Sequence, residues 1–194
     1  SPQKDWVANK PDQLSKVLSK YQEIANDIKA SIADIIVLGG NVGIEKATGK
    51  EISFVPGRGD ASEAQTDVES FSVLEPLSDG FRNFLKEDYG VSPEEMLLDK
   101  SHLLGLTAPE MTVLVGGLRS LGVTTDGKGI FSKNSNKLDN EFFIKLLDMS
   151  ITWEPQDHNT FKGNDKNGKV YVASRYDLAF GSNSQLRALS EVYA

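Results

Sequence analysis

Apolar residues recur at helical spacing along most of the chain. Between residues 12 and 28 they follow the i, i+3, i+4, i+7 pattern of an amphipathic helix with one buried stripe: Leu14, Val17, Leu18, Tyr21, Ile24, Ala25 and Ile28. A second helix is predicted to begin after Ser31, because Asp34 stands at the third helical position of a capping box. This helix is apolar nearly all round, so we expect it to be central, with Leu38 buried.

Capping residues mark further helix starts. Ser92 and Thr107 are each followed three residues later by glutamate, which is the spacing of a capping box. Together with apolar periodicity elsewhere, these starts predict helices over 92–104, 107–118, 139–148 and 184–194, and one over 67–86 that Pro76 can break or kink.

One segment departs from the helical pattern. Asn167-Gly168 precedes the alternating residues 169–173, which predicts a small hairpin with a type I′ turn. Gly39-Gly40 lies inside the second predicted helix, so we expect a neighbour to pack closely against it. With no repeat or low-complexity linker, residues 1–194 are predicted to form a single, mainly α domain with one small β-hairpin.

Composition excludes several kinds of chemistry. The 194 residues contain no cysteine, which excludes disulfides, zinc–thiolate centres, iron–sulfur clusters and thiol nucleophiles. The two histidines, His102 and His158, are too few for a multi-histidine metal centre. With 21 Lys and Arg against 28 Asp and Glu, the net charge of −7 argues against a nucleic-acid or anionic-membrane partner. No apolar run approaches the ~20 residues of a membrane-spanning helix.

Short motifs add little catalytic chemistry. The tripeptide Arg58-Gly59-Asp60 matches an integrin-recognition sequence, which leaves an adhesion or interaction module as an alternative, although it is also ordinary turn chemistry. The glycines of segment 39–43 lie in a helical pattern, whereas a phosphate-binding loop follows a strand. The sequence from Asp165 to Gly168 lacks the remaining ligands of a calcium loop. Residue chemistry alone therefore identifies no active site.

Several long segments closely resemble the bacterial catalase-peroxidases. They are 31–45 (SIADIIVLGGNVGIE), 55–60 (VPGRGD), 74–83 (LEPLSDGFRN), 106–117 (LTAPEMTVLVGG), 140–149 (NEFFIKLLDM) and 173–183 (ASRYDLAFGSN). Members of that family have two peroxidase-like halves, of which the N-terminal half holds haem b and the C-terminal half has lost it. The chain resembles the C-terminal half, with some sequence absent at both ends. The resemblance implies a haem-peroxidase-like helical fold whose haem site is lost.

The proximal side of that lost site is represented by two residues. Haem-binding halves have a Gly-Gly-His-Thr segment whose histidine binds iron, and this chain has Gly-Gly-Leu-Arg at 116–119. Leu118 has no lone pair to give a metal. Asp177 matches the family's aspartate that orients the iron-bound histidine. With that histidine absent, we expect Asp177 to pair with Arg175 or Arg119.

The distal side is represented by residues 6–9 (WVAN), which resemble a Trp-Pro-Asp-Asn segment of active halves. Asn9 keeps the asparagine that orients the distal histidine there, and Ala8 replaces the aspartate of the access channel. The Arg-Trp-His helix that cleaves peroxide has no counterpart in the sequence. The resemblance therefore implies no catalytic, cofactor-binding or metal-binding residue, and marks four vestigial positions: Leu118, Asp177, Asn9 and Ala8.

The resemblance also implies a role. We expect a non-catalytic domain with no cofactor of its own, which supports the haem-bearing N-terminal catalytic domain of the same polypeptide. The parent enzyme would remove hydrogen peroxide, oxidise small donors, form a homodimer and be cytoplasmic. A passive relic is the alternative within this class. A vestigial haem-binding peroxidase fragment that uses His102 or His158 as ligand, or an independent interaction module, are the alternatives from other classes.

Overall fold

Helices make up most of the chain in a computed structural model, which describes residues 2–86, 90–133 and 137–194. Within those ranges there are eight α-helices and two small antiparallel sheets, which confirms the mainly α fold. The described residues include no helix that is both long and apolar enough to cross a bilayer. The chain divides into two compact units, Ser1–Pro76 and Leu77–Ala194. The single domain over 1–194 stays a prediction.

The first unit contains the two longest helices. Short 3₁₀ turns precede them, and a loop with a 3₁₀ turn and a short helix follows; the elements are 3₁₀ turns Pro2–Asp5 and Val7–Asn9, α1 (Pro11–Ile28), α2 (Ile32–Thr48), a 3₁₀ turn Glu63–Gln65 and α3 (Val68–Ser72). The Ser31 side chain accepts a hydrogen bond from the Asp34 backbone N–H at 3.1 Å, as the capping spacing predicts. Helix α2 therefore begins where its capping signal places it, and α1 covers the apolar pattern predicted over residues 12–28.

The burial of α2 differs from the sequence prediction. Leu38 is 38% exposed, so the prediction of a central helix with Leu38 buried is wrong for this unit. Three further aliphatic side chains of α2 are between 40% and 46% exposed: Ile36, Val42 and Ile44. Gly39 does pack closely, because a β-carbon there would overlap the Tyr21 hydroxyl of α1, but nothing lies within 4 Å of a β-carbon placed on Gly40. Among the helices that the structure describes, α1 is the one that packs closely on α2, and much of the apolar surface of α2 lies outside this contact.

The second unit combines five helices with the two sheets. Its elements are β1 (Ser78–Asp79), a 3₁₀ turn Gly80–Arg82, β2 (Phe84–Leu85), α4 (Pro93–Leu103), α5 (Ala108–Ser120), α6 (Glu141–Leu147), β3 (Thr152–Pro155), β4 (Phe161–Asn164), β5 (Val170–Ala173), α7 (Arg175–Ser182) and α8 (Ser184–Tyr193). The capping boxes at Ser92 and Thr107 are both formed.

An aromatic cluster forms the core of the second unit. Phe142 stacks on Phe131 with ring centroids 5.8 Å apart and meets Phe143 and Phe180 edge-on. Helix α5 approaches α6 closely through Gly116, where a β-carbon would overlap the Phe143 ring. This core fixes the adjoining ends of α5 and α7, on which the site described below is built.

The predicted helix over 67–86 is wrong beyond its first turn. Helix α3 ends at Ser72, and the chain then forms the short β1–β2 hairpin instead. Pro76 removes a helical hydrogen-bond donor, and the Asp79 side chain accepts from the Phe81 N–H, which favours a turn over a continuing helix.

The predicted hairpin is confirmed, but its turn and extent differ. Strands β4 and β5 pair antiparallel as expected, and β3 adds a third strand on the other side of β4. Gly168 has a φ of 78°, whereas Asn167 lies outside the left-handed region that a type I′ turn requires. The Asp165 carboxylate accepts from the N–H groups of Asn167 and Lys169, and this local bonding selects the different turn.

Candidate functional site

A fully buried ion pair joins the end of α5 to the start of α7. Arg119 and Asp177 are both 0% exposed, and the Arg119 Nε donates to Asp177 Oδ1 at 2.7 Å. Of the two partners left open for Asp177, the structure thus selects Arg119. Arg175 points elsewhere, with its Nη1 lying 3.3 Å from His158 Nε2.

The remaining donors of Arg119 are held by the 3₁₀ turn and the residue after it. Its Nη1 donates to the Phe81 carbonyl at 2.5 Å, and its Nη2 donates to the Gly80 carbonyl at 3.0 Å. Nη2 also donates to Asn83 Oδ1 at 2.9 Å. The Asp177 carboxylate compensates the charge of the guanidinium, and three further oxygen acceptors surround it.

The second oxygen of Asp177 is held as firmly as the first. Asn83 Nδ2 donates to Asp177 Oδ2 at 2.9 Å, and the Ser174 backbone N–H donates to the same oxygen at 2.8 Å. The Ser174 hydroxyl lies 2.9 Å from Asp177 Oδ2 and 2.6 Å from Asn83 Oδ1. No buried side-chain nitrogen or oxygen lacks a partner within the described parts of the chain. We call these four residues, Asn83, Arg119, Ser174 and Asp177, the buried polar cluster.

Local sequence explains how the cluster is positioned. Ser174 and Asp177 form the capping box of α7, so the helix start itself fixes the carboxylate. Asn83 has a φ of 57°, a left-handed conformation that asparagine tolerates better than most residues, and it ends the 3₁₀ turn. A β-carbon on Gly129 would lie 2.7 Å from Arg119 Cδ and 2.8 Å from Asp177 Oδ1, so glycine leaves room for the pair.

The buried polar cluster does not suit a haem iron. Guanidinium and amide nitrogens offer no lone pair to a metal, and both carboxylate oxygens of Asp177 already accept hydrogen bonds inside the protein. The neighbouring Leu118 is half-buried and packs against the aromatic core. Its side chain is aliphatic, so this position supplies packing and no ligand. The chemistry of the donor set favours a structural cluster over a cofactor site.

The two distal positions, Asn9 and Ala8, lie in the first unit, in the 3₁₀ turn Val7–Asn9. Asn9 Nδ2 donates to the Gln3 carbonyl at 2.6 Å, and Ala8 is buried. Both side chains therefore stabilise the local turns that precede α1. Leu118 and Asp177 belong to the second unit.

The two histidines lie on exposed parts of the second unit. His102 is exposed in the last turn of α4, and His158 is exposed beside Arg175. Across residues 2–86, 90–133 and 137–194, no group of three or more histidine, aspartate or glutamate side chains is arranged to hold a metal ion. Neither histidine belongs to the buried polar cluster.

The Arg58-Gly59-Asp60 tripeptide is anchored within the first unit. Asp60 accepts hydrogen bonds from the backbone N–H groups of Ile32 and Ala33, at 2.9 and 3.0 Å, and so caps α2. Arg58 Nη1 donates to Asp34 Oδ1 at 3.0 Å. The Gly57 N–H, followed by the Arg58 side chain, lowers the pKa of the Asp34 carboxyl below its usual value. Both charged side chains of the tripeptide are thus engaged with α2.

The sequence identified one member of the cluster, Asp177, and did not settle the others. Arg119 was one of two alternatives, whereas Asn83 and Ser174 were not singled out. The Ser174–Asp177 spacing is a capping-box signal that could have located Ser174. Asn83 lies 94 residues from Asp177 in the chain, and no local pattern links them.

Comparison with known proteins places these features in a family context. The Peroxidase family model matches residues 1–194. A catalase-peroxidase of Alkalilimnicola ehrlichii is 56% identical over 203 residues, and one of Vibrio cholerae is 57% identical over 203 residues. Catalase-peroxidase 1 of Shewanella amazonensis is 54% identical over 202 residues. Each match covers 100% of this chain and 28% of the relative, so the chain spans under a third of the length of these curated relatives.

Proposed function

The chain belongs to the peroxidase family, and we propose that it is the haem-free C-terminal part of a catalase-peroxidase, with a structural role and no turnover of its own. One observation carries this proposal. At the position where the resemblance places an iron ligand stands Leu118, and the next residue, Arg119, makes the ion pair with the aspartate that would orient such a ligand. In place of an iron ligand oriented by an aspartate, this site holds a salt bridge between Arg119 and Asp177.

The proposed role is support of a haem-bearing half in the same polypeptide. The relatives are named catalase-peroxidases and are more than three times as long as this segment, so the parent protein has room for a separate catalytic part. We propose that the parent removes hydrogen peroxide and oxidises small donors with haem b bound outside these residues, acts in the cytoplasm and forms a homodimer. In this role, the second unit, with its aromatic core and buried ion pair, serves as a scaffold.

Haem binding by the 194-residue chain tests the cofactor side of the proposal. Purified chain is titrated with haemin and followed in the Soret region, with His102→Ala and His158→Ala variants as controls. We expect no stoichiometric Soret band in any of the three proteins. A stoichiometric band that disappears in one histidine variant would establish the fragment as a haem protein and refute the proposal.

A full-length comparison tests the supporting role. Arg119→Ala and its matched control Arg175→Ala are introduced into the full-length polypeptide, and the catalase rate and the visible spectrum of the haem are recorded. We expect Arg119→Ala to lower the rate and alter haem coordination, because it removes the buried partner of Asp177, whereas Arg175→Ala leaves both unchanged. If limited proteolysis shows that Arg119→Ala disrupts this domain while rate and spectrum stay normal, the domain is a passive relic.

Restoring a histidine alone is expected to change nothing catalytically. In Leu118→His, Asp177 is still held by Arg119, Asn83 and Ser174, so the new imidazole lacks its orienting partner. Peroxidase turnover by the haemin-treated single variant would contradict the structural assignment.

A further inference from the structure

Helix α2 carries more apolar surface than its own unit covers. The exposed aliphatic residues lie on two sides of the helix, with Ile36 and Ile44 on one side and Leu38 and Val42 on the other. A helix that is apolar all round is normally buried in the core of a protein. In the first unit the described buried apolar side chains are only Ala8, Ala25 and Ile35. The surface of α2 is therefore built for contacts that this unit does not make.

The side of α2 that carries Ile36 and Ile44 has the shape of a helix-packing seam. The two isoleucines are eight residues apart, which is about 12 Å along the axis, and they are 44% and 46% exposed. Gly40 and Gly43 lie between them on the same side, and nothing occupies the space within 4 Å of a β-carbon on either. Aliphatic side chains at both ends and open space between them admit the backbone of another helix at short distance. We call this side, Ile36, Gly40, Gly43 and Ile44, the α2 seam.

A different side of α2 is covered by helix α1. Helix α1 packs on α2 where Tyr21 covers Gly39, so the α2 seam is not a second contact surface for α1. The N-terminus of α2 is likewise satisfied, because Asp60 and Ser31 accept its first N–H groups. Within the described residues, the α2 seam therefore remains without a covering helix.

We infer that a helix of the same polypeptide, from the part outside these 194 residues, lies along the α2 seam. The inference rests on the proposed function for one premise, that the chain is part of a longer protein; the relatives, of which it spans 28%, supply that extra length. A second copy of the chain is the less favourable occupant, since each copy carries a net charge of −7 and two like-charged copies repel. The partner helix presents apolar side chains at i, i+3, i+4 and i+7.

Cysteine labelling tests this directly, because the chain contains no cysteine of its own. Gly40→Cys places one thiol in the α2 seam, and Lys16→Cys places a control thiol on the exposed polar side of α1. Each is made in the 194-residue chain and in the full-length polypeptide. Maleimide incorporation at each introduced cysteine is followed over time by mass spectrometry of the peptide that contains it.

We expect the Gly40→Cys thiol to react at least about tenfold more slowly in the full-length polypeptide than in the 194-residue chain, because labelling then requires local opening. The Lys16→Cys thiol should react equally fast in both. Equal rates for Gly40→Cys in the two proteins would overturn the inference. So would slow labelling in the 194-residue chain itself, whether it depends on protein concentration, which identifies a second copy, or does not, which places the cover within these residues.

A stability measurement gives an independent check. Gly40→Leu adds a side chain where the described structure has open space, so the 194-residue chain should keep or raise its melting temperature, because leucine favours a helix more than glycine does, whereas the full-length polypeptide should melt several degrees lower. Unchanged melting of the full-length variant would also overturn the inference. Haemin titration reports on the proposed function separately, since it tests haem binding by His102 or His158, neither of which lies in α2.

Discussion

The two units of this chain obtain their stability from different sources. The second unit has interlocking aromatic rings around Phe142 and a buried ion pair whose every partner is supplied internally. The first unit has two long helices, of which α2 is capped by the Ser31 side chain, but its apolar residues are largely half-exposed. Good local signals therefore do not imply a filled core. A helix start is encoded within a few residues, whereas burial depends on what else the polypeptide brings to the surface.

The largest expected effect comes from breaking the ion pair of the second unit. Arg119→Ala leaves Asp177 buried without its cation, which should reduce the free energy of unfolding by about 3–5 kcal/mol. Arg175→Ala, which removes the same side chain from a half-buried position beside exposed His158, should cost under about 1 kcal/mol. Urea unfolding of the 194-residue variants measures both. Equal losses would show that burial of the pair does not distinguish the two arginines.

A pair of identical substitutions in two helices sharpens the contrast between the units. Gly116→Ala places a β-carbon against the Phe143 ring and should destabilise the chain by about 1–3 kcal/mol. Gly40→Ala meets open space in α2, so the higher helix propensity of alanine should stabilise the chain by up to about 1 kcal/mol. Thermal melting of both variants shows whether each substitution raises or lowers the stability of the chain. The same sign at both positions would contradict the packing described for one of the units.

The exposure of α2 predicts tolerance of a charge at Leu38. Because Leu38 is 38% exposed, Leu38→Asp leaves the carboxylate in contact with water and should cost only about 0.5–1 kcal/mol in the 194-residue chain. Circular dichroism during urea unfolding measures this change. Loss of the folded state would restore the sequence-based expectation that α2 is central.

The smallest expected effect is an acid-dependent loosening within the first unit. The Gly57 and Arg58 hydrogen bonds hold the pKa of Asp34 below its unfolded value of about 3.9. The stabilisation is therefore complete above that unfolded value and is lost as pH falls through the lower folded pKa. The Gly57 amide resonance should titrate with a midpoint below about 3.9 in NMR spectra, and Asp34→Asn should abolish that titration. A midpoint at or above the unfolded value would contradict the assigned contacts.

Local features of the fold could be read from the sequence because their causes are local. The caps at Ser31, Ser92 and Thr107 and the pairing of β4 with β5 depend on residues a few positions apart. The predicted helix over 67–86 failed where Pro76 and the Asp79 turn override apolar periodicity. The exposure of Leu38 could not be read, since periodicity reports which side of a helix is apolar and not whether anything covers it.

The candidate site shows the same division between features with local causes and features that depend on the rest of the fold. Leu118 and Asp177 were identified from motifs, and Arg119 was one of two possible partners. The choice between Arg119 and Arg175 depends on the direction in which each side chain leaves its helix, which a linear sequence does not specify. Asn83 lies 94 residues before Asp177 in the chain and contacts it only in the folded structure. Its left-handed backbone conformation is likewise a property of the folded chain.

The sharing of Asp177 among three partners has an evolutionary consequence. Arg119, Asn83 and Ser174 each hold one of its oxygens, and of these three Arg119 carries the positive charge, so replacing Arg119 buries an uncompensated carboxylate. Freeing this carboxylate for another partner would therefore require several simultaneous replacements, of which the loss of Arg119 is deleterious alone. The salt bridge thus makes these positions mutually dependent in evolution: the effect of a substitution at Arg119 or Asp177 is expected to depend strongly on the other residue.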